Sequence, residues 1–363
     1  MKSLLAIVVL LFPFAAGAGE IAVTEREPGA ASQFRPVTSV DAKGLLVAWR
    51  ERDNIHIGGL TRDGARRPES VIHPASTSIS DLDLQSSGDR SLLAWFEAGR
   101  VYAQRLDADG APTGPTIDLG VGYGPSVAPA EDGFVLAWTD SKELDYVVTA
   151  RISFEGIVAA RQTLDPRDGH RIPVQEAPSL AAAQGNYLLA WNDSWIAYDW
   201  KVVVAPLDAE GRRLNTGTIL SSDGWDLQTE CGTASCVVAW FERAPDEVPE
   251  GADMPVPVEL HAAVVTREGA LLRNVRNLGK FLRGFEEIPL HIGSDEYGNF
   301  TLLVEKLKVE LTATGEVKSS APWTQHFVDL GGIERIGGTT YIVYSRDGRI
   351  QALKVAPKHR AVR

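Results

Sequence analysis

Carboxylates at a fixed spacing are the groups in this sequence most able to do chemistry. Each of five tryptophans is followed two residues later by an acid, and these acids are Glu51, Glu97, Asp140, Asp193 and Glu242. In the interpretation that we favour, each carboxylate accepts hydrogen bonds at the start of the loop that follows it. In the other, the acids form an arc at one mouth of a closed ring and attract a cation or a basic partner.

Three aromatic residues outside the repeated tryptophan positions are candidates for ligand binding. Trp195 and Tyr198 fall in the segment NDSWIAYDW, and Trp225 falls in SSDGWDL. Aromatic side chains on loops stack on sugar rings or anchor a bound peptide. The competing interpretation is that they cover strand ends, as we expect for Trp200. The predicted binding residues are Trp195, Tyr198, Trp225, Asp193 and Glu242.

The patterns expected of an enzyme are weak in this chain. Its seven histidines show no metal-ligand spacing, and no GxSxG nucleophile elbow is present. Adjacent acids such as Glu286 and Glu287 point to opposite faces of a strand. We therefore expect no catalytic residue, no metal site and no cofactor. The alternative is a glycan-active hydrolase or lyase of the sialidase-like propeller type, although the Ser-x-Asp-x-Gly-x-x-Trp box of those enzymes does not recur.

The only two cysteines, Cys231 and Cys236, lie close together in the segment CGTASC. In an oxidising compartment such a pair predicts a disulfide that clips a hairpin turn. Two buried free thiols are the alternative. A zinc site would need two more ligands at suitable spacing, and the neighbouring sequence has none.

The elements that position these residues are short strands, and they recur along the chain as one repeated sequence motif. Apolar runs such as LLAW end at the anchors Trp49, Trp95, Trp138, Trp191 and Trp240, and turns, five of them acidic, end at Gly64, Gly110, Gly156, Gly211, Gly269 and Gly315. Two degenerate copies carry Glu305 and Tyr344 in the tryptophan position. The apolar period is two, and four short strands per repeat are typical of a β-propeller blade. We predict an all-β fold with seven blades of four antiparallel strands.

The two ends of the chain predict how the ring closes. The segment IAVTE, from Ile21 to Glu25, has the pattern of a fourth strand, and RIQALKVAP near the C-terminus has that of a third. Six outer strands follow the six turn glycines, so a seventh must come from the N-terminal segment. Pairing of the two ends in one blade leaves no open sheet edge at the join.

The repeated phrase, of the form VAWxE followed by RLDADG, resembles a repeat of exported bacterial proteins that form β-propellers. The resemblance covers nearly all the chain after its first 18 residues, and the last two copies depart from it. It implies seven blades and export. The resemblance implies no catalytic residues, because the residues of the motif serve strand packing and turn formation.

The longest departures from the repeat fall on one face, around blades four to six. Blade five carries the acidic, proline-rich insertion RAPDEVPEGADMPVPVE, and long connections precede blades four and six. Since variable loops on a fixed scaffold usually form the binding surface, we expect the partner to contact this sector. The predicted function is that of an exported, non-catalytic binding or scaffold module for an unknown protein or glycan.

The N-terminus and the overall charge indicate where the protein acts. Residues 1–18 have a basic start, a short apolar core and a small-residue cleavage site after Ala18, so we expect a signal peptide and a single propeller domain over residues 19–363. The net charge of −12 argues against nucleic acid or an anionic membrane as partner. We expect a periplasmic or secreted monomer with no membrane span.

Overall fold

The computed structural model describes residues 19–24, 33–76, 78–142, 145–164, 174–194, 200–244, 255–283, 288–323, 328–346 and 349–355. These residues form seven sheets, each with four antiparallel strands. The predicted fold class, an all-β propeller with seven blades, is confirmed.

The strands follow the chain blade by blade. The first is β1 (Glu20–Ala22). Blades one to four contain β2 (Gln33–Val40), β3 (Gly44–Glu51), β4 (Asn54–Thr61), β5 (Ser70–Ile72); β6 (Ile79–Ser87), β7 (Arg90–Glu97), β8 (Arg100–Leu106), β9 (Pro112–Val121); β10 (Tyr123–Ala130), β11 (Gly133–Asp140), β12 (Tyr146–Ser153), β13 (Val158–Thr163); and β14 (Val174–Ala183), β15 (Asn186–Ser194), β16 (Lys201–Leu207), β17 (Thr218–Ser221). Blades five to seven contain β18 (Trp225–Cys231), β19 (Cys236–Arg243), β20 (Val256–Val265), β21 (Leu271–Arg283); β22 (Leu290–Ser294), β23 (Phe300–Val304), β24 (Leu307–Leu311), β25 (Val317–Pro322); and β26 (Val328–Ile336), β27 (Thr339–Arg346), β28 (Arg349–Val355).

The first strands of the blades form the inner wall of the ring. Each contacts the first strand of the next blade, and β26 contacts β2, so the wall is continuous around a central cavity. The loops between second and third strands share one end of the ring with the connections between blades, and we call this end the loop face. The hairpin turns between first and second and between third and fourth strands lie at the other end, the turn face.

The repeated tryptophans fill the spaces between blades, as the sequence predicts. All five are at most 1% exposed. Trp95 lies in a cluster with Leu46 and Ile57 of blade one, and Trp138 lies in a cluster with Leu92 and Val101 of blade two. Each tryptophan therefore joins its own sheet to the preceding one, where it buries a large apolar surface.

The acidic residue and the glycine of the repeat form a tight hairpin turn. In blade two the Asp107 carboxylate accepts hydrogen bonds from the backbone N–H groups of Asp109 and Ala111, at 2.8 and 2.9 Å. Gly110 has a φ of 81°, a conformation that favours glycine. The recurring glycine, and the Asp, Ser or Thr three residues before it, are thus explained by the turn itself.

The N-terminal strand completes the seventh blade, which confirms the predicted closure. Its order is β1-β28-β27-β26, and Ile21 pairs with Ala352. The strand ends at Ala22, earlier than the predicted Glu25, which lies outside the described residues. Val23 and Thr24 are buried beyond the strand and still bond the backbone of Ile350.

The two degenerate copies of the repeat depart from the pattern in different ways. Tyr344 is 1% exposed, and its hydroxyl donates to the Glu20 carboxylate of β1 at 2.9 Å, so it fills the tryptophan position and ties the closing strand. Glu305 lies in the turn between β23 and β24 with a φ of 44°, not within a strand. The second hairpin of blade six is therefore shorter than the repeat predicts, and Glu305 does not occupy a core position.

The predicted disulfide is present. Cys231 and Cys236 are bonded across β18 and β19 and face each other in the register of the first hairpin of blade five. The closed loop is short, so we expect its stabilisation to lie below the roughly 3 kcal/mol of a fifteen-residue loop. The disulfide links the two strands of one hairpin in blade five, and blade five also carries the longest insertion in the sequence.

Candidate functional site

The carboxylates of the repeat serve the scaffold at the loop ends of the second strands. Glu97 and Glu242 accept hydrogen bonds from the indole N–H groups of Trp95 and Trp240, at 3.1 and 2.7 Å. Asp140 accepts the backbone N–H of Lys142 at 3.0 Å. These three carboxylates hold neighbouring groups, in line with the favoured interpretation of the pattern.

Glu51 and Asp193 complete the set of five. Glu51 is 5% exposed and lies 3.8 Å from the imidazole of His56, which stacks on Trp49. Asp193 is half-buried near the end of β15 and pairs in register with Lys201. A buried carboxylate such as Glu51 is poorly placed to meet a partner at the surface.

Glu242 also joins blade four to blade five. Its carboxylate accepts the Ser221 hydroxyl from β17 and lies 3.8 Å from the imidazole of His261, which stacks on Trp240. Burial lowers the pKa of His261 even though Glu242 and Glu259 flank the ring. This favours the neutral imidazole at the outer side of the junction.

The inner side of the same junction depends on a glycine. Asn192 donates to the carbonyl of Gly224 at 2.6 Å, and Gly224 donates to the carbonyl of Trp200 at 2.8 Å. A Cβ atom at Gly224 would lie 2.4 Å from Val202 and 2.6 Å from Trp240. The close approach positions the next residue, Trp225, at the loop face.

Two arginines contact the indole of Trp225. The guanidinium carbons of Arg243 and Arg283 lie 5.7 and 5.5 Å from the centre of the indole. The ring is half-buried and packs on the core of blade five. Two cation–π contacts restrain its orientation while part of it stays accessible.

Asp226 anchors one of these arginines. It accepts Nε and Nη2 of Arg283 at 2.9 and 3.0 Å, and it takes a left-handed conformation with a φ of 50°. The register of β18 shifts at this point, which marks a β-bulge. We call Trp225, Asp226, Arg243 and Arg283 the blade-five cluster. Arg243 is its exposed member and begins the acidic insertion.

The sequence predicts Trp225 as a binding residue, but it does not predict the two arginines that contact this side chain. Arg243 is the first residue of the insertion and Arg283 lies within the long connection to blade six, so both belong to segments that the sequence singles out. A basic residue in each of these segments, in a chain of net charge −12, is the signal that could have found them. Trp195 and Tyr198 lie outside the described residues, as does most of the blade-five insertion.

The central cavity, of about 490 Å³, is lined by polar groups that connect the blades. Asp83, Ser126 and Ser179 lie at the same register position in blades two, three and four, opposite the alanine that precedes the repeated tryptophan. Each accepts a backbone N–H from the inner strand of the next blade. The bonds run from Val127 to Asp83, from Leu180 to Ser126 and from Thr229 to Ser179, at 2.7, 3.0 and 2.9 Å.

Two glutamates at other register positions continue this belt. Glu230 accepts the Ser294 hydroxyl of blade six, and Glu334 of blade seven accepts the Thr38 hydroxyl of blade one, both at 2.8 Å. Burial raises the pKa of both glutamates to about 7 and that of Asp83 to about 6. Burial lowers the pKa of His291, which also lines the cavity, to about 4.

These raised pKa values predict how stability depends on pH. A carboxyl group whose pKa rises on folding stabilises the folded protein below its unfolded pKa of 4.5, and the contribution is lost as pH rises through about 7. The double variant Glu230→Gln/Glu334→Gln keeps an acceptor for both hydroxyls and removes the titration. From pH 5 to 8 wild type should lose roughly 5 kcal/mol of unfolding free energy relative to this variant.

Urea unfolding of both proteins at the two pH values measures this difference. Asp83 and His291 titrate in both proteins, so their contributions cancel in the comparison. Glu316→Gln, which changes an exposed glutamate on blade six, is the matched control and should follow wild type. An identical pH dependence in the double variant and wild type would contradict the assignment.

Two further features concern the residues that the structure describes, a metal centre and a transmembrane helix. In this part of the chain, no three His, Cys, Asp or Glu side chains come together at a spacing suited to a metal ion. None of its segments is a helix of sufficient length and hydropathy to cross a membrane.

Comparisons with known proteins identify the architecture. No family model matches the sequence, and no curated protein matches it. A Kuenenia stuttgartiensis hydrazine synthase structure aligns over 92% of this chain and 98% of its own, with 9% identity and a TM-score of 0.59. The β-propeller domain of Myceliophteria thermophila Cps50 (Swd1) aligns over 93% and 100%, with 13% identity and a TM-score of 0.51. The shared property is the propeller fold.

A third similar structure is the WD40 domain of Toxoplasma gondii coronin, which aligns over 95% of this chain and 88% of its own. Its identity is 12% and its TM-score is 0.50. Propellers of such different proteins show that the fold does not determine the activity. The resemblance to an exported bacterial repeat stays a prediction.

Proposed function

We propose that this protein is an exported, non-catalytic binding or scaffold module, which engages its partner with the loop face over blades four to six. The observation that carries the proposal is the contact of Trp225 with Arg243 and Arg283. Tryptophan and arginine are the residues most often found at the energetic centre of interfaces. An indole fixed by its neighbours loses little side-chain entropy on binding.

The charge of the cluster favours one kind of partner. Arg283 is neutralised by Asp226, whereas Arg243 is exposed, and no ion pair to a carboxylate joins it within the described residues. An acidic protein segment or an acidic glycan could pair with Arg243 while it covers the indole. Trp195 and Tyr198 extend this surface in the proposal, with Asp193 and Glu242 at its rim.

The alternative, a glycan-active hydrolase or lyase, requires two carboxylates with arginines in one pocket on this loop face. The carboxylates nearest the cluster are already engaged, since Asp226 binds Arg283 and Glu242 binds Trp240 and Ser221. Export is supported by the disulfide, which forms in oxidising compartments.

The experiment is a pull-down from envelope extract run beside a glycan array, first with wild type and then with Trp225→Ala and Arg243→Gln. With the partner found, each variant should weaken binding about tenfold or more, and together they should weaken it further. Arg212→Gln, an exposed arginine in a turn of blade four on the turn face, is the control. Unchanged affinity in both cluster variants, with circular dichroism intact, would place the site elsewhere.

A further inference from the structure

A separate cleft of about 390 Å³ lies on the turn face between blades two and three. Its floor is made by Leu106, Phe134 and Phe154. The two phenylalanine rings meet edge to face at 5.8 Å, and Leu106 and Phe134 are at most 1% exposed. The volume falls within the range of small-molecule pockets, and the floor is fixed by the core.

Two guanidinium groups converge on this floor. The guanidinium carbon of Arg90 lies 5.2 Å from the centre of the Phe154 ring, and Nη1 of Arg105 donates to the Phe154 carbonyl at 2.7 Å. Nε of Arg105 is buried and has no hydrogen-bond partner within the described structure. Over the same residues neither arginine forms an ion pair, whereas Arg100 and Arg151 pair with Asp118 and Asp132. The pKa of Glu155 at the neighbouring turn is lowered first by the Ser153 hydroxyl and then by the charges of Arg90 and Arg105. Within the described residues, however, no carboxylate holds either guanidinium group in a salt bridge, so both can attract an anion.

The rim of the cleft also carries acceptors. Asp89 and Asp107 line it, and only one oxygen of Asp107 is used by the turn hydrogen bonds. Asp109 is partly neutralised by its ion pair with Lys43. A simple anion would be repelled by these carboxylates, but a ligand that also bears ammonium or hydroxyl donors would be attracted by them.

We propose that this cleft binds a small carboxylic acid that also carries hydrogen-bond donors, such as a zwitterionic amino acid or a sugar acid. The carboxylate binds Arg90 and Arg105, the donors bind Asp89 and Asp107, and the apolar part packs on Phe154. The site lies on the opposite face from the blade-five cluster and shares no residue with it, so either proposal can fail alone.

Isothermal titration calorimetry of the full chain tests the site with phenylalanine and glucuronate as probes. Phenethylamine and glucose, which lack the carboxylate, are the matched ligands. At least one acid should bind, and its carboxylate-free counterpart should bind about tenfold more weakly or worse. Binding by phenylalanine alone or by glucuronate alone assigns the donors to an ammonium or to hydroxyl groups.

Arg90→Gln and Arg105→Gln should each weaken binding about tenfold or more, because each removes a charge-assisted hydrogen bond. The Arg90 guanidinium makes no hydrogen bond to the backbone of the described residues, so its variant should leave the fold intact, as circular dichroism would show. Arg151→Gln is the matched control for Arg105, because Arg151 also donates to a turn carbonyl of the next blade, at 3.0 Å from Ala209, yet lies outside the cleft. Failure of both acids to bind at millimolar concentration, or equal weakening by Arg151→Gln, would overturn the proposal.

Discussion

Replacing Trp95 with alanine is expected to lower the free energy of unfolding by roughly 3–5 kcal/mol, a larger loss than we expect from any surface substitution. The indole is 1% exposed, stacks on Tyr102 at 5.8 Å and fills the space between blades one and two. Its removal leaves a cavity that the two sheets cannot close without shifting toward each other. It also takes a hydrogen-bond donor away from Glu97, whose carboxylate is buried. Urea unfolding followed by circular dichroism measures the loss.

Trp225→Ala is the matched control, since it removes the same side chain from a half-buried position. We expect it to cost less than about 2 kcal/mol, because only part of the ring packs on the core. Equal destabilisation by the two substitutions would show that the repeated tryptophan has no special structural role.

Deleting residues 19–27 is expected to destabilise the protein by several kcal/mol and to promote aggregation. The deletion removes β1 from the seventh blade and exposes the edge of β28. It also removes the buried Val23 and the Glu20 acceptor of the Tyr344 hydroxyl. The ring would then close only through contacts between side chains of blades seven and one.

The control for this experiment is removal of residues 359–363, which follow the last strand and should matter little to stability. Thermal unfolding of both truncated proteins and of the intact chain gives the comparison. A melting temperature equal to that of the intact protein after the N-terminal deletion would refute the role of β1 in closure.

The sequence predicts the blades well because packing and turns impose the same residues at every repeat. Trp95 and Gly110 recur since every blade must fill the same gap and make the same turn. The degenerate copies are where this reasoning loses accuracy. Glu305 follows the apolar run TLLV as the tryptophans follow theirs, but the hairpin after it is tighter and places it in a turn.

The belt around the central cavity is not predictable from the repeat. Asp83, Ser126 and Ser179 occupy one register position and perform one task, yet they differ in residue type. Any short side chain with an acceptor oxygen can accept this hydrogen bond, so the same residue type need not recur at this position in each blade. Glu230 and Glu334 serve the same purpose from other positions, which only the three-dimensional register reveals.

The blade-five cluster is predictable only in part, for a related reason. Its location follows from the insertions, and Trp225 stands out as an aromatic residue outside the repeat. Arg243 and Arg283 come from the second and fourth strands of the blade, and the fold brings them to Trp225 at the start of the first. Contacts between three separate strands leave no local signature in one sequence.

The most direct test of the central claim, that the loop face of blade five contacts the partner, is site-specific photo-crosslinking in the cell envelope. A photoreactive amino acid replaces Arg243 in one protein and Tyr297 in another. Tyr297 is 73% exposed and lies in the turn between β22 and β23 of blade six, on the opposite face. We predict a discrete cross-linked product from position 243 and none from position 297. A product from position 297 alone would contradict the account.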